Sequence, residues 1–525
     1  MERDCRSVTI SPTLATETLL TTTEALTPPT KTPPPSLHEI IRTTPPAPTS
    51  QRLVSLDIFR GITIAAMLLV NNPGKGAAFA PLEHADWHGW TPTDLIFPFF
   101  LFIVGVAIPF SMSKRGPRKS KLHLIGTIWF RAFSIFLLGA LLTALPFSMS
   151  PLPDGYNLLR FLRVFTWTYC ILAIAMTLFP WKRSTHWRWI IPALGIGLWL
   201  LMIAIHYANK DALAAGLPDS FNFGNGALTP YRFRIPGVLQ RIGICYGAAA
   251  TIAVLAGWRA CLISAILLCA AYSAVMLKLP YPNHVTGSLT EHDNLARRID
   301  EKVFRAHNYG EYPDPEGLLS TLPAIASPLL GICVGAWLRN NRSPAERCAG
   351  LLAAGVLVAI LGYCLHSWLM PINKKIWTPS FVVFTTGMGM LGLGTIFWFV
   401  DVKSPLEPRS ALRRFARGAL WTPFRIFGTN AIAAFVAAGI VTRLMLMIPI
   451  KKDLLTGRTI TLITFCKDQC ANGLHALSHQ LQSLSPHIPA IDTPGLTSLT
   501  YSLGYILVIL LIMSLLYVFR VFVKV

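Results

Sequence analysis

The amino-acid sequence predicts an all-α, polytopic helical membrane protein with about twelve transmembrane helices. Hydrophobic residues make up 53% of the 525-residue chain and charged residues only 14%, whereas about a quarter of the residues of a soluble domain are charged. Apolar runs of about 20 residues recur along the chain, and each is long enough to cross about 30 Å of hydrocarbon. Because lipid offers no hydrogen-bond partners to the backbone, these runs are predicted to be helices.

The first fifty residues differ in composition from the rest of the chain. Residues 1–50 contain the stretches TPPTKTPPPS and TTPPAPTS, with no apolar run and no signal-peptide core. A Pro/Thr-rich segment cannot bury enough apolar surface to fold, so we expect a disordered cytoplasmic tail. Residues 51–525 are predicted to form one transmembrane domain.

The apolar runs define the predicted spans in chain order. Where two runs lie close together, Trp181–Arg183 and Trp258–Arg259 supply the separating turns. The predicted spans are residues 54–72, 92–112, 124–146, 159–180, 189–207, 237–257, 260–279, 319–338, 348–368, 379–400, 423–448 and 501–523.

The distribution of Lys and Arg predicts which loops are cytoplasmic. One set of alternate loops carries 17 basic residues in 48 positions, and the other carries 14 in 163. Basic residues collect in cytoplasmic loops, so both termini are predicted to lie inside. The long loops 208–236, 280–318 and 449–500 then lie outside. The net charge of +21 follows from the same rule, and nucleic acid is not an expected partner.

Polar residues gather at the predicted outer ends of several spans, where they are costly to place near lipid. Only Asp57 and Arg60 fall inside a span at the other side; they are three residues apart on one helix face and are predicted to form an ion pair. The residues at the outer side are Asn71, His84, Asp86, His88, Asp94, Gln240, Arg241, Asp314, Glu316, Asn373 and Lys374. Their convergence on one side predicts a functional site there.

Structural roles are open for several of these residues. Asp94 can cap the N-terminus of the second span, and Asp314 and Glu316 can cap the eighth. Elsewhere, His475 and His479 are spaced i, i+4 but have no obvious third ligand, so no metal site is predicted. Cys466 and Cys470 are predicted either to form a local disulfide or to stay as two thiols.

Seven stretches together resemble one known family. They are SLDIFRG, VNN, EHADWHGWTPTDLIFPFFLFIVG, RIPGVLQRIGICY, DPEGLLSTLPAI, PINKKIWTPSFV and FGTNAIAAF, in this order between about residues 52 and 435. The combination resembles the transmembrane N-acetyltransferases typified by heparan-alpha-glucosaminide N-acetyltransferase. The chain departs from the family pattern at 159–207, which looks like an insertion, and in the long loop 449–500.

The resemblance implies an acyltransferase that moves acetyl from cytoplasmic acetyl-CoA to an amino sugar at the outer face. His84 matches the family's active-site histidine, and Asn71 matches the Asn that closes the first span. Asp94 or Asp86 is expected to hold the imidazole tautomer. Arg60, Arg131 and Arg425 are the candidates for binding the anionic end of acetyl-CoA at the cytoplasmic side.

The chemistry of these residue types agrees with that activity. An imidazole can take the proton of an attacking amine or can carry the acetyl group itself, and both routes stay open. Asn71 can donate to the developing oxyanion. The amino-sugar acceptor is expected to meet Gln240, Arg241, Asp314, Glu316, Asn373 and Lys374.

Two other functional classes stay open at this stage. Twelve spans with both termini inside is also a common layout of a sugar or small-solute permease, although a permease places its polar site near mid-membrane. A third possibility is an inactive relative whose fold serves as a platform that binds a partner. The expected location is the plasma (inner) membrane of a bacterium, with the lipid bilayer as a partner and homo-oligomerisation left open.

Overall fold

In the computed structural model, the protein is an all-α bundle. The structure describes residues 53–144, 234–402 and 411–522, apart from short gaps at 77, 116–119, 283–284, 305–306, 308–312, 453–458, 486 and 488, and isolated positions between 169 and 204. The predicted tail, the predicted spans 159–180 and 189–207 and most of the loop 208–236 lie outside the described residues.

The described residues form twelve helices and one antiparallel hairpin. The helices are α1 Val54–Asn71, α2 Ile96–Arg115, α3 Lys121–Ala144, α4 Val238–Lys278, α5 Leu295–Phe304, α6 Thr321–Leu338, α7 Pro344–Trp368, α8 Pro379–Phe397, α9 Ala411–Thr429, α10 Ala431–Met447, α11 Leu462–Leu484 and α12 Pro494–Val518. Strands β1 Pro449–Lys452 and β2 Thr459–Thr461 pair between α10 and α11.

Among the described residues, eight helices are long and apolar enough to cross a membrane, and the bent pair α9–α10 makes a ninth. The polytopic membrane class is therefore confirmed. The difference from the predicted twelve has two sources. Two predicted spans fall outside the described residues, and the predicted spans 237–257 and 260–279 form the single element α4.

Helix α4 combines two predicted spans around one non-helical residue. It contains 41 residues, which at 1.5 Å per residue corresponds to about 60 Å, twice the hydrocarbon thickness. Gly257 interrupts it with φ 78°, a left-handed conformation that only glycine adopts at low cost. The break immediately precedes Trp258–Arg259, where the sequence predicts a turn.

Close backbone contact joins α1 to α9. A Cβ atom on Gly61 would lie 1.7 Å from the carbonyl oxygen of Phe424, and one on Gly428 would lie 1.7 Å from that of Asp57. Small residues allow such contact between membrane helices. At this contact Arg60 Nη1 lies 3.4 Å from Asp57 Oδ1 and donates to the carbonyl of Gly428 at 3.3 Å. The predicted Asp57–Arg60 pair therefore forms, and it also joins two helices.

The segment after α10 contains regular secondary structure where the sequence predicts the long loop 449–500. It holds the hairpin and the 23-residue helix α11, which is not among the helices long and apolar enough to cross a membrane. Cys466 and Cys470 lie on α11 as free thiols, so the alternative of a local disulfide is not realised. His475 Nδ1 lies 2.7 Å from Asp492 Oδ2, which fastens the chain after α11 to that helix.

One end of the bundle collects the connections that the sequence predicts to be on one side. The backbone N–H of Gly74, after α1, donates to Ser498 Oγ of α12 at 3.0 Å. The N–H of Gly89, before α2, donates to the carbonyl of Ile372, between α7 and α8, at 2.8 Å. We call this end, which carries residues 71–95, 234–237, 313–320 and 371–378, the polar end.

Candidate active site

Asp94 organises the start of the second membrane-spanning segment. It lies in the 3₁₀ turn Pro92–Leu95 that leads into α2, and only 2% of its side chain is exposed. Its Oδ2 accepts the backbone N–H groups of Thr91 at 3.0 Å and Ala85 at 3.1 Å. The carboxylate therefore has the capping role that the sequence suggests, and it also holds the segment that carries His84.

The second oxygen of Asp94 contacts His84. Oδ1 lies 2.7 Å from His84 Nδ1, and the imidazole is 52% exposed. A carboxylate accepts hydrogen bonds only, so Nδ1 carries a proton, and in the neutral imidazole Nε2 is then the nitrogen with the free lone pair. This arrangement makes Nε2 the atom that can take a proton or attack a carbonyl carbon. Asp94, rather than Asp86, orients the ring.

Lys374 completes a three-residue cluster with His84 and Asp94. Its Nζ lies 3.2 Å from Asp94 Oδ1, 3.0 Å from His84 Nδ1 and 3.4 Å from His84 Nε2. The Lys374 side chain is 19% exposed. Burial lowers the pKa of Lys374, while the negative charge of Asp94 opposes that shift. The cluster joins residues that are 290 positions apart in the chain.

The loop that carries Lys374 is fixed by Asn373. This residue is fully buried, and its amide donates to the carbonyl of Trp87 at 2.7 Å. Its Oδ1 accepts the N–H of Ile376 at 3.1 Å. Asn373 therefore bonds the loop to itself and to the segment between His84 and α2, which sets the position of Lys374 over the imidazole.

Trp377 and Arg241 form the support beneath this loop. Trp377 is fully buried with φ 52°, an unusual conformation for a large side chain, so its surroundings must hold it. The guanidinium of Arg241 lies 5.2 Å from the Trp377 ring centroid. Arg241 also donates to the carbonyl of Gly317 at 2.9 Å and to Ser320. Arg241 thus connects the Lys374 loop to the connection before α6.

The His84 cluster opens into a cavity of about 570 Å³ at the polar end. Asn71 lines this cavity from the end of α1, and the ring of Trp87 lines it from the segment before α2. The other polar side chains in the lining are Asp86, Thr93, Asp94, Arg234, Glu316, Lys374 and Lys375. The volume is suited to a small ligand of sugar size.

Arg234 holds two of the predicted carboxylates. Its Nε donates to Asp314 Oδ2 at 2.9 Å, and its Nη2 bonds to both Asp314 and Glu316. These two carboxylates raise the pKa of Arg234 against the effect of burial. Asp314 is fully buried and does not line the cavity, whereas Glu316 does.

Four of the predicted substrate-binding residues do not line the cavity. Gln240, Arg241, Asp314 and Asn373 are buried behind the cavity wall. Gln240 packs against α3, where its amide donates to Thr143 Oγ1 at 3.3 Å. These four side chains contact the protein rather than the cavity space, so any effect on a substrate would pass through the residues that they position.

The three predicted cofactor-binding arginines do not lie together. Arg60 and Arg131 line a second, largely apolar chamber of about 220 Å³ between α1, α2, α3, α4 and α10. Met67 of α1 lines both the chamber and the cavity. Arg425 is exposed on α9 and lines neither space.

Sequence reasoning missed Arg234 and Lys375 as cavity residues. Arg234 begins the stretch RIPGVLQR, so a basic residue directly before an apolar run was an available signal. Lys375 pairs with Glu291 at 2.9 Å, and its Nζ lies 5.5 Å from the Trp87 ring centroid. No local pattern distinguishes Lys375 from Lys374, because their roles depend on which way each side chain points.

No family model matches this chain. It is similar to human heparan-alpha-glucosaminide N-acetyltransferase, with 25% identity over 412 residues that cover 73% of this chain and 52% of the human protein. The mouse protein of the same name is 24% identical over 415 residues, covering 74% of this chain and 53% of the mouse protein. The chain is distantly related to these acetyltransferases. The resemblance inferred from the seven stretches is thus confirmed, and the chain spans about half the length of the curated relatives it matches.

The cluster has the elements of an acyl-transfer site. Nε2 of His84 is oriented by a buried carboxylate, a cation lies beside the ring, and Asn71 offers an amide donor in the same cavity. Acyl transfer to an amine needs a proton acceptor and stabilisation of a developing oxyanion. Both requirements are represented among the residues that line the cavity.

Proposed function

We propose that this protein is a membrane N-acetyltransferase that transfers acetyl from acetyl-CoA to an amino sugar, with His84 as the reacting imidazole. The observation that carries the proposal is the His84–Asp94 pair, 2.7 Å apart, inside a cavity of sugar size. The distant relationship to heparan-alpha-glucosaminide N-acetyltransferases supports the same reaction class.

In the first route, His84 acts as a general base. The amine nitrogen of the acceptor attacks the thioester carbon, and His84 Nε2 takes the amine proton. The C–S bond then breaks, and the leaving CoA sulfur receives the proton from Nε2. Asp94 holds the opposite ring nitrogen, so that the lone pair of Nε2 stays directed into the cavity.

In the second route, His84 acts as an acetyl carrier. Nε2 attacks the thioester carbon, the C–S bond breaks, and CoA leaves as a thiolate while the acetyl group is held on the ring. The amine of the acceptor then displaces the acetyl group, and the proton that the amine loses is taken by the released Nε2 and passed to the CoA sulfur. Both routes pass through an oxyanion on the acetyl oxygen. Asn71, which lines the same cavity, is the proposed donor to that oxygen.

Acetyl-CoA is proposed to reach His84 through the apolar chamber. The chamber suits the pantetheine arm because its lining is mainly apolar, and Met67 stands between it and the cavity. Arg60 and Arg131 are proposed to attract the phosphates of the nucleotide end. The density of Lys and Arg in alternate loops predicts that this is the cytoplasmic side, and the acceptor is proposed to enter from the outer side.

Asp86 is the proposed contact for the amino group of the acceptor. It is exposed, lines the cavity and makes no hydrogen bond or ion pair to any residue that the structure describes. Glu316 is the second proposed contact, although Arg234 already shares its charge. Carboxylates attract a protonated amine and also accept hydrogen bonds from sugar hydroxyls.

The proposal is tested by release of CoA from acetyl-CoA when purified protein receives glucosamine. His84→Ala is expected to abolish transfer in a folded protein. His88→Ala is the matched control, because His88 does not line the cavity, and it should keep most of the activity. Transfer by His84→Ala at the wild-type rate would refute the role of His84. Solute uptake by vesicles without any acetyl transfer would instead support the permease alternative.

The two routes are distinguished by adding acetyl-CoA, labelled in its acetyl group, without an acceptor. The carrier route predicts one label per protein that is lost in His84→Ala. The base route predicts no protein-bound label, because the acetyl group leaves CoA only when the amine attacks.

A further inference from the structure

The ammonium group of Lys374 lies beside the imidazole of His84 without occupying an ordinary hydrogen-bond position. Nζ is 3.0 Å from Nδ1 and 3.4 Å from Nε2. The lone-pair directions of the two ring nitrogens diverge, so one atom cannot lie along both of them. Nδ1 is also already bonded to Asp94. Lys374 therefore acts on the ring as a nearby positive charge.

Two opposite charges act on the same imidazole. The carboxylate of Asp94 favours the protonated ring, because opposite charges attract. The ammonium of Lys374 disfavours the protonated ring, because like charges repel. Both charged side chains are largely buried, at 2% and 19% exposed, so solvent screens them mainly from the exposed side of the imidazole. Without Lys374, the effect of Asp94 on the ring would be unopposed.

The surrounding loop keeps Lys374 in this position. Asn373 bonds the loop to the carbonyl of Trp87, and the neighbouring Lys375 is held by Glu291 at 2.9 Å. Lys374 also bonds to Asp94. The residues before and after Lys374 are therefore both held in place, and the ammonium itself is held by Asp94. The other charged or titratable groups in the cavity wall are Asp86, Arg234, Glu316 and Lys375, and His88 lies beside Asn373.

We propose that Lys374 is a positioning residue that keeps the ring of His84 uncharged between turnovers. This inference rests on the proposed acetyl transfer. In the base route, the repulsion drives the proton that Nε2 takes from the amine onward to the leaving CoA sulfur. In the carrier route, it keeps the lone pair of Nε2 available for attack on the thioester. In both routes the ring returns to the neutral form that starts the next turnover.

The first test is the pH dependence of kcat/KM for wild type, Lys374→Met and Lys374→Arg. Loss of the charge should move the acidic limb of the profile upward by about one pH unit, which is about a tenfold loss of activity at a pH well below that limb. Activity on the alkaline plateau should fall much less. Lys374→Arg should restore the wild-type limb, because it keeps the charge. An equal loss at every pH would mean a merely structural role and would overturn the inference.

The second test does not depend on acetyl transfer. Diethyl pyrocarbonate modifies neutral imidazole but not imidazolium, so the extent of His84 modification against pH, measured by mass spectrometry, reports the charge of the ring. The half-modification pH should rise in Lys374→Met and in a second neutral variant, Lys374→Gln. It should stay unchanged in Lys75→Met, which removes an exposed ammonium that pairs with Asp468 and does not line the cavity.

The two tests separate the inference from the proposed function. A shifted modification curve in a protein that transfers no acetyl would refute the proposed function and leave the inference standing. An unshifted curve in an active enzyme would refute the inference alone. A shift of the same size in Lys374→Arg would also refute it, because the effect would then depend on shape rather than on charge.

Discussion

His84 and Asp94, ten residues apart in the chain, share a 2.7 Å contact between Nδ1 and Oδ1 at the mouth of the second membrane-spanning segment. The other oxygen of Asp94 is used by two backbone N–H groups. One carboxylate therefore both shapes the local backbone and orients the imidazole.

Asp94→Asn is expected to lower kcat strongly while KM for acetyl-CoA changes little. The amide can still accept a backbone hydrogen bond, but it presents no negative charge to Nδ1–H. In a serine protease the comparable change of the orienting Asp costs about 10⁴-fold in kcat, and we expect a loss of about 10²-fold or more. Steady-state kinetics checks the loss, and a Tm measurement checks the fold. A variant with near wild-type kcat would show that the ring needs no such acceptor.

Asp86→Asn is expected to raise KM for the amino-sugar acceptor with little change in Tm. Asp86 is exposed in the cavity and makes no hydrogen bond or ion pair to a described residue, so its replacement should cost little stability. Glu83→Gln is the control, because Glu83 is an exposed acid in the same segment that does not line the cavity. Equal acceptor KM values in all three proteins would exclude Asp86 from acceptor binding.

Replacement of Asp314 should mainly lower Tm, whereas replacement of Glu316 should mainly raise KM for the acceptor, although Arg234 binds both carboxylates. Breaking a buried ion pair typically costs about 3–5 kcal/mol, so Asp314→Asn should lower Tm markedly. Glu316→Gln leaves Arg234 paired with Asp314 and removes a carboxylate from the cavity. It should raise KM for the acceptor more than it lowers Tm. Kinetics and thermal unfolding of both variants test this prediction. If Glu316→Gln lowers Tm without raising KM for the acceptor, Glu316 has a structural role only.

Asp300 should make the stability of the protein depend on pH. It lies on α5 and is 1% exposed. Burial raises the pKa of Asp300 to about 7; the charge of Asp314 adds to the rise, whereas the Leu318 N–H and Arg241 oppose it. Its ordinary pKa in an unfolded chain is about 3.9. A raised folded-state pKa contributes stability that is complete below about pH 4 and is lost as the pH rises through about 7.

Asp300→Asn should therefore remove one part of the pH dependence of Tm. The wild type should gain stability relative to the variant as the pH falls from about 8 to about 5. The amide can still accept the Leu318 N–H, which Asp300 Oδ1 accepts at 2.8 Å. Glu83→Gln, a change of an exposed acid, controls for general charge effects. Parallel Tm curves for wild type and Asp300→Asn would contradict this prediction.

Met67→Trp should impair use of acetyl-CoA, because Met67 lines both the apolar chamber and the cavity. A bulkier ring at this position should narrow the proposed passage and raise KM for acetyl-CoA several-fold. Met67→Leu conserves the volume and should behave like wild type. If Met67→Trp folds and shows a wild-type KM for acetyl-CoA, the donor reaches His84 by another path.

The sequence alone determined the class of the protein and the local part of the site. Hydropathy reports whether a run of about 20 residues can cross lipid, and it needs no tertiary information. Asp94 lies in a capping turn and His84 only ten residues before it, so their contact depends mainly on local geometry. The motif resemblance pointed to His84 and Asn71, whereas Asp94 and Asp86 were alternatives for orienting the ring until the structure showed the contact with Asp94.

Only the tertiary structure decided which distant polar residues reach the cavity. Gln240 and Arg241 stand in the same stretch as Arg234, yet Gln240 and Arg241 are buried behind the cavity wall whereas Arg234 lines the cavity. Hydropathy predicts the spans and the loop charges predict the side of the membrane on which a residue lies, but neither gives the rotation of a helix or the direction of a side chain. Those are set by packing between segments hundreds of residues apart, and for this reason the contact of Lys374 with His84 could be read only from the folded chain.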